Sequence, residues 1–503
     1  MNRTEKFVLN SITTAVNQII VMIVGFITPS LMIRTYGSEI NGLVSSINQI
    51  IGYITLVEAG LSGAAVYSLY KPLSDNDKIG INGIVSAAKK FYLQAGYIFS
   101  TAALILSIVY AQLKSSETLS FFTIFWLTII LSVNGCVDFF VLSRYRVILT
   151  ADQKTYLISG VGIIQTIIRT AIIIVCAISN TNVVLLYALS LLPIILKVVI
   201  LSTYCKKKYE FLNFNEKPNI EALGRRYDVI YQQILGMIQT GAPAIIATVV
   251  LDFFSVSIYA VYNMVMSGLN GVLSIFISGL PAGFGEIIAK KEYKVLKETT
   301  AQFEVAYYFL LTIFYGITFA TILPFIDIYT KNFHDVNYTL PIFSFFIVLN
   351  GLLYNIKTPQ SMLIISAGMY RETRWRVTIQ GLIIVLGGFA LASLWGLTGI
   401  MIASCISNLY RTIDLLFFVP KHITHNSIKT SLFRMMRVIL CIGIINIPCY
   451  FWNFVPKGYL EWSFYACILG IWSIIVVSIV TLIFDSKELK SLFNRFKRMM
   501  KRG

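Results

Sequence analysis

Four basic side chains lie inside long apolar stretches of the sequence: Arg169, Lys197, Lys357 and Arg411. A charge at the centre of a bilayer costs about 3 kcal/mol even on the gentlest scale, so it usually pairs or serves a function. Arg169 lies deepest, roughly 18 Å from the start of its predicted helix at about 1.5 Å per residue. Such cations donate charge-assisted hydrogen bonds to phosphate oxygens, which predicts a site for an anionic group such as pyrophosphate. Arg34, just beyond the first apolar stretch, is a fifth candidate.

Structural salt bridges are the alternative role for these cations. Asp138, Asp414 and Glu58 fall at similar predicted depths and are available as partners. Arg34 has a nearby carboxylate in Glu39. From the residues alone, both roles stay open.

Polar residues recur at helical spacing within several apolar stretches, as they do on helix faces turned toward a bundle interior or a water-filled cavity. The predicted polar cavity residues are Asn48, Gln165, Asn263, Asn270 and Asn350. Glu58 and Asp252 are candidates for binding a coupling ion. The alternative is that such residues merely join helices, at about 0.6 kcal/mol each.

Composition places these residues in a membrane. Only 13% of the 503 residues are charged and 56% are hydrophobic, with mean hydropathy +0.75, and about 20 apolar residues cross the hydrocarbon core as a helix. The predicted fold is an all-α polytopic membrane protein with about fourteen transmembrane helices. These span residues 8–33, 40–66, 91–111, 119–143, 157–179, 183–204, 229–251, 256–280, 303–325, 340–365, 376–395, 397–419, 433–455 and 462–484.

Loop charge predicts the orientation of the helices. Basic residues outside the spans fall almost entirely in alternate loops, and the opposite set holds only Arg34, Lys114, Lys331 and Lys457. Because positively charged loops stay cytoplasmic, both termini are predicted in the cytoplasm. The net charge of +17 is then explained by basic loops facing anionic headgroups, and nucleic acid is not expected as a partner.

A weak internal repeat recurs at an offset near 216 residues. This offset spans six predicted helices, as two lobes of six crossings each require. Residues 150–156 open the fifth span, and residues 366–372 open the eleventh in the same way. The predicted organisation is two pseudo-symmetric six-helix lobes followed by two further helices. Its parts are a first lobe at 1–204, a cytoplasmic connector at 205–228, a second lobe at 229–420, helices 13 and 14 at 421–485, and a basic amphipathic cytoplasmic tail at 486–503.

Several chemistries have no support in the sequence. Phosphate-binding, dinucleotide-binding, zinc-protease and serine-hydrolase motifs are absent. The seven cysteines form no CxxC pair, and His422 and His425 lack further ligands nearby, so no metal site is expected. A membrane polymerase is disfavoured because the longest predicted external loop, at 326–339, is short. No catalytic residues are therefore assigned.

Four segments carry a family resemblance: RTYGSEINGL at 34–43, LVEAGL at 56–61, LTADQK at 149–154 and GLTGI at 396–400. With the helix count, they resemble the Wzx-type polysaccharide flippases of the multidrug/oligosaccharidyl-lipid/polysaccharide exporter superfamily. The resemblance covers nearly the whole chain.

The resemblance implies two lobes in a V, alternating between inward-open and outward-open states in the bacterial cytoplasmic membrane. It implies an undecaprenyl-pyrophosphate-linked oligosaccharide as cargo, for capsule, exopolysaccharide or O-antigen synthesis. Cavity cations would handle the pyrophosphate, for which Arg169, Lys197, Lys357 and Arg411 match by depth. It further implies H⁺ or Na⁺ as coupling ion, no other cofactor, and polysaccharide polymerase machinery as a partner. A drug or small-metabolite antiporter and a lipid II flippase of the same superfamily are the alternatives.

Overall fold

The computed structural model describes residues 3–114, 119–220, 226–277, 280–451 and 454–491. Within these ranges the chain is helical and contains no strand. The helices are α1 (Arg3–Ile54), α2 (Leu56–Ser74), α3 (Lys78–Lys114), α4 (Phe121–Val137), α5 (Ser143–Ala151), α6 (Thr155–Ile178), α7 (Val183–Leu189), α8 (Leu192–Lys208), α9 (Arg226–Val250), α10 (Phe253–Ile277), α11 (Leu280–Ala289), α12 (Tyr293–Thr330), α13 (Pro341–Ile356), α14 (Thr358–Ala367), α15 (Tyr370–Val419), α16 (Ile428–Phe451) and α17 (Tyr459–Phe484). Most of the predicted amphipathic tail, from residue 492 onward, lies outside the described residues.

Eleven helices among the described residues are long and apolar enough to cross a membrane. Two of them are double length and are interrupted by non-helical backbone, α1 at Gly37 and α15 at Trp395 and Gly396. Dividing both and including the shorter apolar stretch Gly236–Val250 gives the fourteen crossings predicted from hydropathy. The all-α polytopic fold is thereby confirmed.

Large apolar side chains are exposed on many of these helices. Leu460, Phe451 and Trp375 have exposed fractions of 89%, 78% and 76%. Between 11% and 50% of each apolar window is buried inside the protein. Such extensive apolar surface would drive association in water, whereas lipid chains solvate it. The chain is therefore a multi-pass helical membrane protein.

The backbone carries the internal repeat. Residues with positive φ end equivalent helices in the two halves of the sequence: Asn76 and Lys291, Gln153 and Gly368, and Asn180 and Gly396. Members of each pair are 215 or 216 residues apart in the sequence. Since few non-glycine residues adopt this conformation, three coincident pairs at one spacing would rarely arise by chance. The pattern supports two repeated six-span halves.

The chain forms two compact units, Met1–Ile245 and Ile246–Gly503, and the boundary between them falls inside α9. The first part of α9 belongs with the first unit because the Tyr53 hydroxyl donates to the Met237 carbonyl at 2.8 Å. A Cβ on Gly241 would also overlap Tyr53. The division therefore falls inside the seventh span, although the sequence boundaries of the lobes stay a prediction.

The first unit packs α1 against α6, and α3 against α4. Gly135 allows the close approach of α3 and α4, since a Cβ there would lie 2.4 Å from the Phe99 ring. The connector lies along α3, where the Asn82 amide donates to the Phe211 carbonyl at 2.9 Å and its oxygen accepts from the Asn213 N–H at 3.1 Å.

The second unit is built around α12, which packs on α16 and α17. Its other long element, α15, folds back on itself at Gly396, whose φ of 57° suits glycine. The Ser407 hydroxyl donates to the Gln380 carbonyl at 2.8 Å, so the two segments of α15 run antiparallel. Helix α13 packs against this hairpin.

Candidate functional site

The candidate site of the second unit centres on a break in the tenth span. Lys357 lies between α13 and α14, two residues before Pro359. Pro359 has no N–H and cannot donate to the carbonyl of Asn355 four residues earlier, which explains why the helical hydrogen bonding is interrupted here. Lys357 is nevertheless only 5% exposed. The interrupted span therefore carries an ammonium group inside the bundle.

Amide side chains surround this ammonium group. Lys357 Nζ donates to Asn408 Oδ1, and Asn408 Nδ2 donates in turn to Asn350 Oδ1 at 2.8 Å. Gln380 Nε2 lies 3.4 Å from the same Asn408 oxygen. The Tyr354 ring faces Lys357 Nζ at 4.5 Å from its centroid, a favourable cation–π position. Helices α13 and α15 thus share one polar cluster.

An ion cluster lies next to these amides. Arg411 is 5% exposed and its Nη1 lies 2.6 Å from Asp414 Oδ2. The other oxygen of Asp414 accepts from Arg376, which belongs to the first segment of α15. For Arg411, the structure therefore shows the salt bridge with Asp414, which was one of the two roles that the sequence left open.

Lys357 differs from Arg411 in having no such partner. None of the ion pairs in the described part of the chain includes it. The charge of Arg411 acts on Lys357 and repels its ammonium group. Gln380 Oε1 is also buried without a hydrogen-bond partner among the described residues. Together with Arg376, the site holds three cations and one carboxylate, an arrangement suited to an anion.

Of the predicted cations in the first unit, Arg169 and Lys197 are partly enclosed by the protein. Arg169 is half-buried on α6, and its Nε is buried without a hydrogen-bond partner within the described ranges. Gln165 lies one turn earlier and is also half-buried, and Tyr187 lies within electrostatic range of the guanidinium. Lys197 is half-buried on α8.

The remaining first-unit residues are less enclosed. Arg34 and Asn48 are both exposed on α1, on either side of its interruption at Gly37. Glu58 belongs to α2, but its side chain lies outside what the structure describes.

Three predicted residues of the second unit lie on or near α10. Asn270 accepts a hydrogen bond from Asn355 Nδ2 at 2.7 Å, so it joins α10 to α13. Asn263 is half-buried on the same helix. Asp252 is exposed, and its Oδ1 accepts from the Ser255 N–H at 2.7 Å. This bond caps the start of α10, which gives Asp252 a structural role.

The LTADQK segment forms a polar brace at the end of α5. Asp152 Oδ1 lies 3.0 Å from Lys6 Nζ, and its Oδ2 lies 2.6 Å from both Lys154 Nζ and the Tyr209 hydroxyl. Burial by itself would raise the pKa of Asp152, but hydrogen bonds from Lys154, Tyr209 and Lys6 outweigh it and hold that pKa below its ordinary value. The brace ties α1 and the connector to this turn.

A second buried ion network was not predicted from the sequence. Arg434 is 5% exposed and contacts Glu304 and Asp485, each at 3.0 Å, and Glu488 at 2.9 Å. Arg437 binds Asp485 at 2.5 Å. These charges come from the ends of three predicted spans and are remote in sequence, so no local spacing marks them. The network fastens α16 and the residues after α17 to α12.

A multi-pass helical bundle with two repeated halves and a polar site at a broken helix has the architecture of a secondary transporter. No family model matches the sequence, and no curated protein matches it. Solved transporter structures do share its fold.

The lipid II flippase MurJ, in an inward closed conformation, matches with a TM-score of 0.69 at 16% identity, covering 94% of this chain and 99% of MurJ. An inward-facing multidrug resistance MATE family transporter of the MOP superfamily matches with a TM-score of 0.60 at 13% identity, covering 86% of this chain and 98% of the transporter. The MATE multidrug transporter DinF-BH matches with a TM-score of 0.61 at 13% identity, covering 85% and 98% of the two chains. The chain therefore shares its fold with these transporters, and at these identities the likeness defines the fold alone.

Proposed function

We propose that the chain is a flippase for undecaprenyl-pyrophosphate-linked oligosaccharide repeat units, which it moves across the bacterial cytoplasmic membrane by alternating access. The observation that supports this most is Lys357, a buried ammonium group held by amides instead of a carboxylate. A membrane protein retains an uncompensated internal charge at a cost in stability, which points to a use for that charge.

The chemistry of the site suits a pyrophosphate headgroup. Lys357 and Arg411 supply positive charge, and phosphate oxygens accept charge-assisted hydrogen bonds from both groups. Asn350 and Asn408 add amides that can bind sugar hydroxyls. Arg169 would supply a cation in the first half of the chain. The isoprenoid tail would stay in the bilayer while the sugar crosses.

Lipid II flipping is the second candidate. It is favoured by the similarity to MurJ over nearly the full length of both chains. Lipid II is itself a lipid-linked saccharide with a pyrophosphate, so the same cations would serve it, and the substrates must be separated by experiment.

Drug or small-metabolite antiport, favoured by the likeness to MATE transporters, requires acidic groups for cationic drugs. The described site around Lys357 is instead predominantly cationic. A membrane polysaccharide polymerase is the least favoured alternative.

The proposal includes H⁺ or Na⁺ coupling, with Glu58 and Asp252 as the candidate residues; Asp252 also caps the start of α10. It also includes both termini in the cytoplasm and a functional link to polysaccharide polymerase machinery.

The test is deletion of the gene followed by location of lipid-linked oligosaccharide with a membrane-impermeant sugar-binding probe. Intact cells report intermediates that face outward, and inverted vesicles report those that face the cytoplasm. We expect intermediates to accumulate facing only the cytoplasm, and complementation with the wild-type gene to restore the outward-facing pool. An unchanged outward-facing pool in the deletion strain would refute the flippase function.

A further inference from the structure

A cavity of about 530 Å³ lies where α15 ends, and it shares Arg376 with the ion cluster around Asp414. Its lining includes three basic residues, Arg376, Lys421 and His422, together with Phe417 and Asn426. The π-helical turn Pro420–Thr424 carries two of the three basic residues. None of the described residues that line this cavity is acidic.

The basic residues are not fully neutralised by their neighbours. Arg376 binds Asp414, but that carboxylate is shared with Arg411, so the three groups together keep a positive charge. Lys421 and His422 are exposed and form no ion pair within the described ranges. The cavity therefore has a positive electrostatic potential, which a bound anion would neutralise.

Its surroundings indicate a lipid and not a soluble anion. The cavity lies at the end of the apolar stretch Tyr370–Thr424. Phe417, at its edge, is 59% exposed, as expected of a side chain in contact with acyl chains. His422 stacks on the buried Phe418 ring at 4.3 Å, and its Nδ1–H donates to the Phe418 carbonyl at 2.9 Å. The ring is thereby held in place beside the cavity.

We propose that this cavity binds the phosphate headgroup of an anionic lipid, with Lys421 as its main cation. On the predicted orientation it faces the cytoplasmic leaflet, where anionic lipids concentrate and basic pockets between helices bind their headgroups. The phosphate belongs either to a membrane phospholipid or to an isoprenyl diphosphate. The proposal does not depend on which cargo the protein moves.

The test measures how lipids shift the melting temperature of the purified full chain in neutral detergent. The probes are dioctanoyl-phosphatidylglycerol, dioctanoyl-phosphatidylcholine as a neutral lipid, and farnesyl diphosphate. Lys421→Gln removes the cavity cation. Lys429→Gln is the matched control, since Lys429 is an exposed lysine of the same basic segment that does not line the cavity.

We expect the anionic probes to raise the melting temperature more than phosphatidylcholine does. Lys421→Gln should weaken the apparent affinity about fivefold, the contribution of one cation near a lipid headgroup, while Lys429→Gln leaves it unchanged. Stronger binding of farnesyl diphosphate would identify the isoprenyl diphosphate as occupant, and stronger binding of phosphatidylglycerol the phospholipid. Equal effects of the two variants, or of the neutral and anionic lipids, would overturn the proposal.

Discussion

Lys357 donates a hydrogen bond to the side-chain oxygen of Asn408, a residue on a different helix. The two are brought together because α13 ends at Ile356 and packs against the α15 hairpin. An amide oxygen satisfies one ammonium hydrogen but does not neutralise its charge. This contact therefore leaves a buried cation available to an anionic ligand.

Replacing Lys357 should separate transport from stability. Lys357→Gln keeps a donor for Asn408 and removes the charge, so we expect flipping to fall about tenfold or more, as loss of one hydrogen bond to a charged group implies. The melting temperature should stay the same or rise, because an uncompensated buried charge is removed. Lys331→Gln, at an exposed lysine, is the control and should leave both unchanged. A fall in stability with normal flipping would assign Lys357 a structural role.

Asp414 should be a stabilising residue. Its side chain and that of Arg411 are each 6% exposed, so Asp414→Asn would leave a buried guanidinium without its counterion. We expect a loss of about 3 kcal/mol in unfolding free energy. Arg376→Gln removes the outer partner, whose side chain is 43% exposed, and should lose less than about 1 kcal/mol. Thermal unfolding of both variants measures the two losses in unfolding free energy. Equal losses would show that the buried Arg411–Asp414 pair stabilises the fold no more than the exposed Arg376–Asp414 pair does.

The network around Arg434 should hold the last two spans to α12. Arg434→Met would leave Glu304 buried and unpaired, with an expected loss of about 3–5 kcal/mol. Arg437→Met is the matched substitution one turn later, at a side chain that is 20% exposed, and should lose about 1 kcal/mol. Proteolysis between α16 and α17 during thermal unfolding would report whether these helices detach first. Similar stability of the two variants would contradict the importance of the buried arginine.

The brace at Asp152 should make stability depend on pH. The pKa of Asp152 is below its ordinary value in the folded chain, so the ionised carboxylate stabilises the fold. This stabilisation is fully present above about pH 4, the ordinary aspartate pKa, and it disappears as the pH falls through the folded pKa. Asp152→Asn should therefore lower stability by on the order of 1 kcal/mol at neutral pH, since the site is partly screened by solvent. Unfolding of wild type and variant should converge in acid. A difference that does not change with pH would rule out this ion cluster as its source.

The membrane fold followed from the sequence because a span needs only length and hydropathy, and both are local properties. The repeat was also detectable, since Thr150–Ala151 and Ser366–Ala367 open equivalent spans. The positions at which helices are interrupted within a span were not predictable from length and hydropathy. The interruption at Lys357 depends on Pro359, yet many transmembrane helices continue past a proline.

The candidate site was predictable in its cations but not in their partners. Lys357 and Arg411 stand out as charges in apolar stretches, whereas Asn408 and Gln380 acquire their role only through the packing of the α15 hairpin. The pairing of Arg434 with Glu304 links residues 130 positions apart. Both lie near span ends, where charges normally reach water, so their burial had no signal in the sequence.

Reconstituted flipping tests the central claim most directly. Purified protein would be placed in liposomes containing fluorescent undecaprenyl-pyrophosphate-linked oligosaccharide or fluorescent lipid II, and transfer between leaflets followed with an impermeant quencher. Protein-free liposomes and Lys357→Gln are the controls. We predict rapid transfer of the oligosaccharide-linked lipid, slower transfer of lipid II, and loss of transfer in the variant. Transfer no faster than in protein-free liposomes, or transfer of lipid II alone, would contradict the proposed function.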